Sequence, residues 1–203
     1  MDPAKLASSA PGQVYSFAIR KLIHILSGSI FIWIALHMDS SHYFLGIIVL
    51  LTVIADLSRN FIPNWNRLFL KIFRFYLKPS ELGGSFSGAS SLWAGLYVIF
   101  IFFEEPIFIL SAAVMVFADS LAGIIGKLIP LYRFSHSKSI GGSSIFIITS
   151  FLIFWQYGNI PLIPALLLSI ISASIELMLK SNWENFLLGV GTALSVLIYF
   201  QLV

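Results

Sequence analysis

Cysteine is absent from this 203-residue chain, which excludes disulfide bonds and thiolate metal centres. Charge is scarce. Asp, Glu, Lys and Arg make up 10% of residues against 58% hydrophobic, which excludes an ordinary soluble domain. Strict alternation of apolar and polar residues is also missing. Runs such as Ile47-Ile48-Val49-Leu50-Leu51 are continuous, which argues against a transmembrane β-barrel. The first apolar run is not followed by Ala-x-Ala-like cleavage chemistry; His37-Met38-Asp39 is a poor site, so the run reads as a retained helix. The pattern Gly-x-x-x-x-Gly-Lys-Ser/Thr is absent, so there is no Walker A loop. Neither repeats nor low-complexity tracts are present, and a net charge of +3 makes no case for nucleic-acid binding.

What is present is apolar sequence in blocks. A membrane span needs about 20 mostly apolar residues to cross roughly 30 Å of hydrocarbon. Seven candidate spans read as residues 22–38, 42–58, 84–103, 106–127, 141–157, 161–179 and 186–202. With the chain alternating sides at each span, all twelve Lys and Arg residues fall on one side. Lys5, Arg20 and Lys21 precede the first span; Arg59, Arg67, Lys71, Arg74 and Lys78 follow the second. Lys127, Arg133 and Lys138 lie at or after the end of the fourth, and Lys180 follows the sixth. The other side receives only acids such as Asp39, Glu104 and Glu105. Positive charge is retained in the cytoplasm, so the expected topology has a cytoplasmic N-terminus, with residues 1–19 as its tail, and a C-terminus on the opposite side. Tight loops leave no room for a soluble domain. The expectation is one all-α polytopic membrane domain over residues 1–203.

The segment 64–78 predicts an additional helix. Arg67, Lys71, Arg74 and Lys78 recur four, three and four apart on one stripe. Leu68, Phe69, Ile72, Phe73, Phe75 and Tyr76 fill the remaining face, between Pro63 and Pro79. An amphipathic helix of this kind lies in the headgroup zone with its basic edge toward phosphates.

Acids inside a span cost roughly 2.5–3.5 kcal/mol on insertion scales, so Asp119 in the fourth span needs a reason. Asp119, Gly123 and Lys127 are four apart on one face. A rise of about 1.5 Å per residue separates Asp119 from Lys127 by about 12 Å along the axis, enough for a metal-bound phosphate chain, with Gly123 allowing backbone approach. The alternative is a structural ion pair between Asp119 and a basic residue of another helix. Other polar groups gather at the same end: Arg20, Lys21 and His24 entering the first span, Asp56 and Arg59 closing the second, Glu176 near the end of the sixth, and Glu184-Asn185 opening the seventh. Before the fifth span, Lys138, Ser139, Gly141, Gly142 and Ser143 combine a cation, hydroxyls and flexible backbone at a helix N-terminus. That arrangement suits an anion or an ordinary Gly/Ser cap.

In order along the chain come Arg20-Lys21-x-x-His24, Ser87-Gly88-Ala89-Ser90, Asp119-Ser120-x-Ala122-Gly123-x-x-Gly126-Lys127, Lys138-Ser139-Ile140-Gly141-Gly142-Ser143, Glu176 and Glu184-Asn185. This order resembles the family of CTP-dependent lipid kinases that contains phytol and farnesol kinases, dolichol kinase and the yeast-type diacylglycerol kinase. The resemblance runs over residues 20–190. It implies transfer of the CTP γ-phosphate to the hydroxyl of a membrane lipid alcohol, with a divalent cation, Mg2+. On that resemblance, Asp119 and Glu176 hold the metal. Arg20, Lys21, Lys127 and Lys138 hold phosphates, and Ser139, Gly142, Ser143, Gly123 and Asn185 line the substrate site. Asp56 or His24 is the base. Phosphoryl transfer is mostly positioning and charge neutralisation, which suits this mixture of acids and cations.

Two rival readings share these residues. A phosphatidate cytidylyltransferase also uses CTP, metal and a membrane lipid, but its Lys-Asp … His-Gly-Gly … Asp-Arg signature is absent. A small transporter also carries intramembrane acids, but such folds place them near the midplane, whereas here they sit at one end.

Overall fold

The computed structural model describes residues 11–73, 77, 81, 86–129, 131–133, 138–179 and 182–203, with side chains from 17 onward. The basic residues Lys5, Arg74, Lys78 and Lys180, the 75–76 part of the predicted amphipathic stretch with Pro79, and loop residues 134–137 lie outside the described residues.

Helices stand at each apolar run. They are α1 (Pro11–His37), α2 (Ser41–Ser58), α4 (Gly88–Phe102), α5 (Glu105–Leu128), α6 (Ile140–Tyr157), α7 (Leu162–Met178) and α8 (Glu184–Leu202), with the short α3 (Pro63–Phe73) between α2 and α4. No β-strand occurs among the described residues; Arg133 and Ser139 form a single antiparallel bridge. Five helices, α1, α2, α5, α6 and α8, are long and apolar enough to cross a membrane, the build of a multi-pass membrane protein. Helices α4 and α7 are shorter apolar helices.

Local chemistry sets the boundaries. Ser87 caps α4, its Oγ accepting from the Ser90 N–H, and Ser139 caps α6 by accepting from the Gly142 N–H at 3.2 Å. Pro106, near the start of α5, needs no hydrogen-bond partner there. Tight reversals between α1 and α2 and between α6 and α7 pass through Ser40 and Asn159, both at positive φ. The first expected span starts later than its helix, because residues 11–21 continue α1 as a polar extension. The third expected span starts earlier than its helix, since capping by Ser87 fixes the start of α4 at Gly88.

Helix α5 is the centre, the most deeply buried of the five long apolar helices. Its inner residues Phe108, Leu110, Val114, Met115, Val116 and Ala118 are at most 2% exposed. Elsewhere the interior mixes large apolar side chains, among them Phe31, Leu45, Leu96, Phe146 and Leu188, with small and hydroxylated ones such as Ser91, Ser150, Ser169, Ser172, Thr192 and Ala193. The large side chains Leu26, Trp33, Ile47, Leu50, Ile163 and Ile198 face outward. Large apolar side chains on the outside, with small and hydroxylated residues among the buried helix contacts, suit a surface that contacts lipid, where close backbone approach helps hold the helices together. Gly95 shows the closeness: a Cβ there would lie 2.9 Å from the Phe186 Cα, so α4 and α8 touch through their backbones.

A π-turn at Val114–Ala118 interrupts α5 immediately before Asp119, whose N–H bonds to the Val114 carbonyl five residues back. One extra residue in that turn rotates Asp119–Leu128 relative to the first half of the helix. A second π-turn closes α6 at Ile153–Tyr157.

Candidate functional site

The polar ends of α1, α2, α5, α6, α7 and α8 surround one cavity of about 760 Å³. Every candidate residue read from the sequence lines it: Arg20, Lys21, His24, Asp56, Asp119, Gly123, Lys127, Lys138, Ser139, Gly142, Ser143, Glu176 and Asn185. Residues spread over more than 160 positions therefore converge in one space.

At its inner end, two ion pairs cross between elements. Lys21 Nζ of α1 donates to Asp119 Oδ2 of α5 at 2.5 Å, with the two side chains 15% and 14% exposed. Lys138, preceding α6, pairs with Glu176 of α7. Asp119 also lies within the electrostatic reach of His24 and Lys138. Between the pairs is a void of about 10 Å³, with Asp119, Lys138, Glu176, Glu184 and Asn185 in its lining; that is roughly the space of one water molecule.

The remaining cations are arranged differently. Lys127 Nζ sits 3.7 Å from the centroid of the Phe17 ring, and the Arg20 guanidinium sits 5.1 Å from the same centroid. Arg133 is close enough to act on Lys127 electrostatically. Its place is set by the bridge to Ser139 and by the hydrogen bond from Ile140 N to Tyr132 O at 3.0 Å. Among the described residues, no carboxylate lies within ion-pairing distance of Arg20, Lys127 or Arg133. Lys127 thus shares the Phe17 ring with Arg20 and also lies under the repulsion of Arg133, while Arg20 is attracted by Glu81, Glu184 and Asp119; an anion beside Lys127 would relieve the like-charge repulsion there.

Several expected roles change. Gly123 lines the cavity and also makes room for the Lys21 stem and the Phe17 ring: a Cβ there would lie 2.8 Å from Lys21 Cε and 3.2 Å from Phe17 Cζ. Lys127 packs on Phe17, not along a line from Asp119. The Gly142 N–H is taken by Ser139 Oγ, which also donates to the Gly126 carbonyl at 3.3 Å. Gly142 itself lies against Gly126 and the Ala122 carbonyl, so this Gly/Ser segment joins α6 to α5. Asn185 donates to the Gly88 carbonyl at 3.0 Å and ties α8 to α4. Asp56 is 2% exposed, pairs with Arg59 at 3.2 Å and accepts from the Ser87 N–H at 2.6 Å. Glu81 accepts from the Gly88 N–H at 3.0 Å. Two carboxylates thus occupy the N-terminus of α4, where the unpaired N–H groups and helix dipole favour negative charge.

A divalent cation can be tested against these donors. Among the described residues, no group of three or more His, Asp or Glu side chains forms a metal-ligand cluster. A small hard cation such as Mg2+ takes one or two carboxylates and leaves its other positions to water and substrate phosphates. Asp119 and Glu176, all-oxygen donors on one water-sized void, fit that requirement.

Arg133 and Phe17 were not singled out from the sequence as site residues. Arg133 lies in a loop whose bridge to Ser139 has no sequence signature, and a lone phenylalanine at the start of an apolar run carries no signal. Compared with known proteins, the chain matches no family model, no curated protein and no solved structure.

Proposed function

We propose that this protein transfers the γ-phosphate of CTP to the hydroxyl of a membrane lipid alcohol at the cytoplasmic face. The supporting observation is the cavity itself: an anion-seeking cluster, two acid–lysine pairs and an apolar extension share one space. In this reading the chain crosses the membrane seven times, with α4 and α7 as the short crossings. All basic residues are then cytoplasmic, and α3 lies at the interface with Arg67 and Lys71 toward the headgroups.

Arg20, Lys127 and Arg133 hold the polyphosphate, whose charge replaces the repulsion at Lys127 with charge-assisted hydrogen bonds. The transferring phosphoryl group lies deeper, beside Lys21 and Lys138. Asp119 and Glu176 would hold the divalent cation, which supplies charge neutralisation between the phosphates. Once phosphate oxygens approach the two lysines, each ammonium exchanges its carboxylate partner for a phosphate. This accounts for acids and lysines stored as pairs. The lipid hydroxyl loses its proton to a base as its oxygen bonds to the γ-phosphorus; the bond from that phosphorus to the bridging oxygen breaks, and CDP leaves. His24 is the better placed base, since it stands near Asp119 and the Asp56 oxygens are engaged by Arg59 and Ser87.

Equilibrium binding to the purified protein with Mg2+ tests the donor. CTP is expected to bind more tightly than ATP at equal concentration. A protein that binds neither nucleotide, or that phosphorylates a lipid alcohol from ATP and ignores CTP, contradicts the proposal.

A further inference from the structure

Two adjoining faces of α5 beyond its π-turn have different neighbours. Asp119, Gly123 and Lys127 meet α1: Asp119 pairs with Lys21, a Cβ on Gly123 would crowd Lys21 and Phe17, and Lys127 packs on Phe17. Ala118, Ala122 and Gly126 stand one position earlier in sequence. Of these, Ala122 and Gly126 meet α6. A Cβ on Gly126 would lie 3.0 Å from the Gly142 Cα, and a Cβ on Gly142 would lie 3.0 Å from the Ala122 carbonyl oxygen.

A π-turn takes up one residue more than an α-turn. Everything after it is therefore turned back by one residue's rotation, about 100° at 3.6 residues per turn. In an uninterrupted α-helix of the same sequence, Ala118, Ala122 and Gly126 would face α1. Leu121 and Ile125 would be driven against Gly142, where even the Cβ of an alanine would be crowded. Asp119 would take the present place of Ser120, which is fully buried, and would lose Lys21.

The neighbouring helices leave room for the wider turn. Met115 and Val116 lie inside it, and both are met by glycine. A Cβ on Gly28 of α1 would lie 2.5 Å from Val116 Cγ2. A Cβ on Gly189 of α8 would lie 2.7 Å from Met115 Sδ, and one on Gly95 of α4 would lie 3.4 Å from the same atom. Three separate helices are thus narrowed at the level where α5 is widened.

We propose that this π-turn is the positioning element of the site: by taking up one surplus residue, it directs Asp119 toward Lys21 and the cavity. The proposal rests on the reaction above only for what Asp119 does there. Where Asp119 stands follows from the packing of α5 against α1 and α6.

The test uses the cysteine-free full chain in phosphatidylcholine nanodiscs. Lys21→Cys is combined with Ala118→Cys, Asp119→Cys or Ser120→Cys. The first and third also carry Asp119→Asn, so that no charge loses its partner. A short bifunctional thiol reagent reads which position faces α1. Position 119 is expected to cross-link about tenfold or more faster than the other two. Deleting Phe117 removes the surplus residue and leaves a regular helix, so the preference for position 119 should persist. Inserting an alanine after Phe117 adds a residue that the turn cannot take up, so cross-linking should move to Ala118→Cys. Lipid phosphorylation, measured with Lys21 and Asp119 intact, should survive the deletion and be lost on insertion.

Equal cross-linking at the three positions, or a preference for position 118 without deletion or insertion, overturns the proposal. So does a move to Ser120→Cys on deletion, because a regular helix shifts in opposite directions under the two changes. If the deleted chain fails to fold, the comparison of the three positions decides. Preference for position 119 in a chain that phosphorylates no lipid alcohol rejects the reaction and leaves the positioning. Phosphorylation with preference for position 118 does the reverse.

Discussion

Lys21 in α1 and Asp119 in α5 are 98 positions apart in sequence and 2.5 Å apart in space. Both charges are mostly buried, so each is the other's compensation. Removing one partner of such a pair leaves an uncompensated charge, at a cost of about 3–5 kcal/mol. Lys21→Met should therefore reduce the amount of folded protein in membranes. Asp119→Asn also leaves the Lys21 ammonium without its counter-charge and should lower abundance, though less than Lys21→Met because the amide oxygen still accepts from Lys21; per folded molecule it should lower lipid phosphorylation by about a hundredfold or more. Combining the two should restore abundance without restoring activity. Recovery of activity in the double variant would show the pair to be purely structural.

Arg133 should matter for nucleotide binding and not for stability. Hydrogen bonds to charged groups contribute about 1.5–3 kcal/mol, so Arg133→Ala is expected to weaken CTP binding by about tenfold or more, with an unchanged melting temperature. Arg133→Lys should recover part of the loss, since a lysine keeps the charge without the planar fork. Unaltered CTP affinity in Arg133→Ala would remove this residue from the site.

Asp56 should behave in the opposite way. Its carboxylate holds Arg59 and the start of α4, so Asp56→Ala should lower the melting temperature in detergent. Arg59→Ala added to it should cost much less than the two single changes together, because the first change already leaves the pair broken. An Asp56→Ala protein of normal stability but no activity would return Asp56 to the role of base.

Much of the fold was legible from the sequence because hydrocarbon imposes long apolar blocks. The expected 42–58, 106–127, 141–157 and 161–179 lie within a residue of α2, α5, α6 and α7. The membership of the site was legible for a similar reason. A charged side chain in an apolar block is costly, and Asp119 and Glu176 stand out against their neighbours. Partners were not legible. Helical spacing tells which residues share a face, but not which face of another helix meets it, so Lys21–Asp119 and Lys138–Glu176 emerge only from packing. The filled space over Gly123 was hidden for the same reason, since it is a consequence of how α1 packs on α5; the π-turn at Val114–Ala118 has no signature in the apolar pattern.

Orientation has its own test. The proposed topology puts Lys71 and Lys138 in the cytoplasm and Asp39 outside. With single cysteines at these positions in the cysteine-free chain, an impermeant thiol reagent on intact cells should label Asp39→Cys alone. Labelling of Lys71→Cys or Lys138→Cys from outside would put the cavity mouth on the wrong side for a cytosolic nucleotide.

The central claim is the reaction, and two labels on one substrate test it most directly. Membranes containing the protein are incubated with a long-chain alcohol, Mg2+ and CTP labelled at either the γ- or the α-phosphate, and the lipid extract is separated by thin-layer chromatography. The account predicts γ-label in a new lipid monophosphate, no α-label in lipid, release of CDP, and loss of the product with Asp119→Asn. Label from the α-phosphate in lipid, with release of pyrophosphate, would contradict it and identify cytidylyl transfer instead.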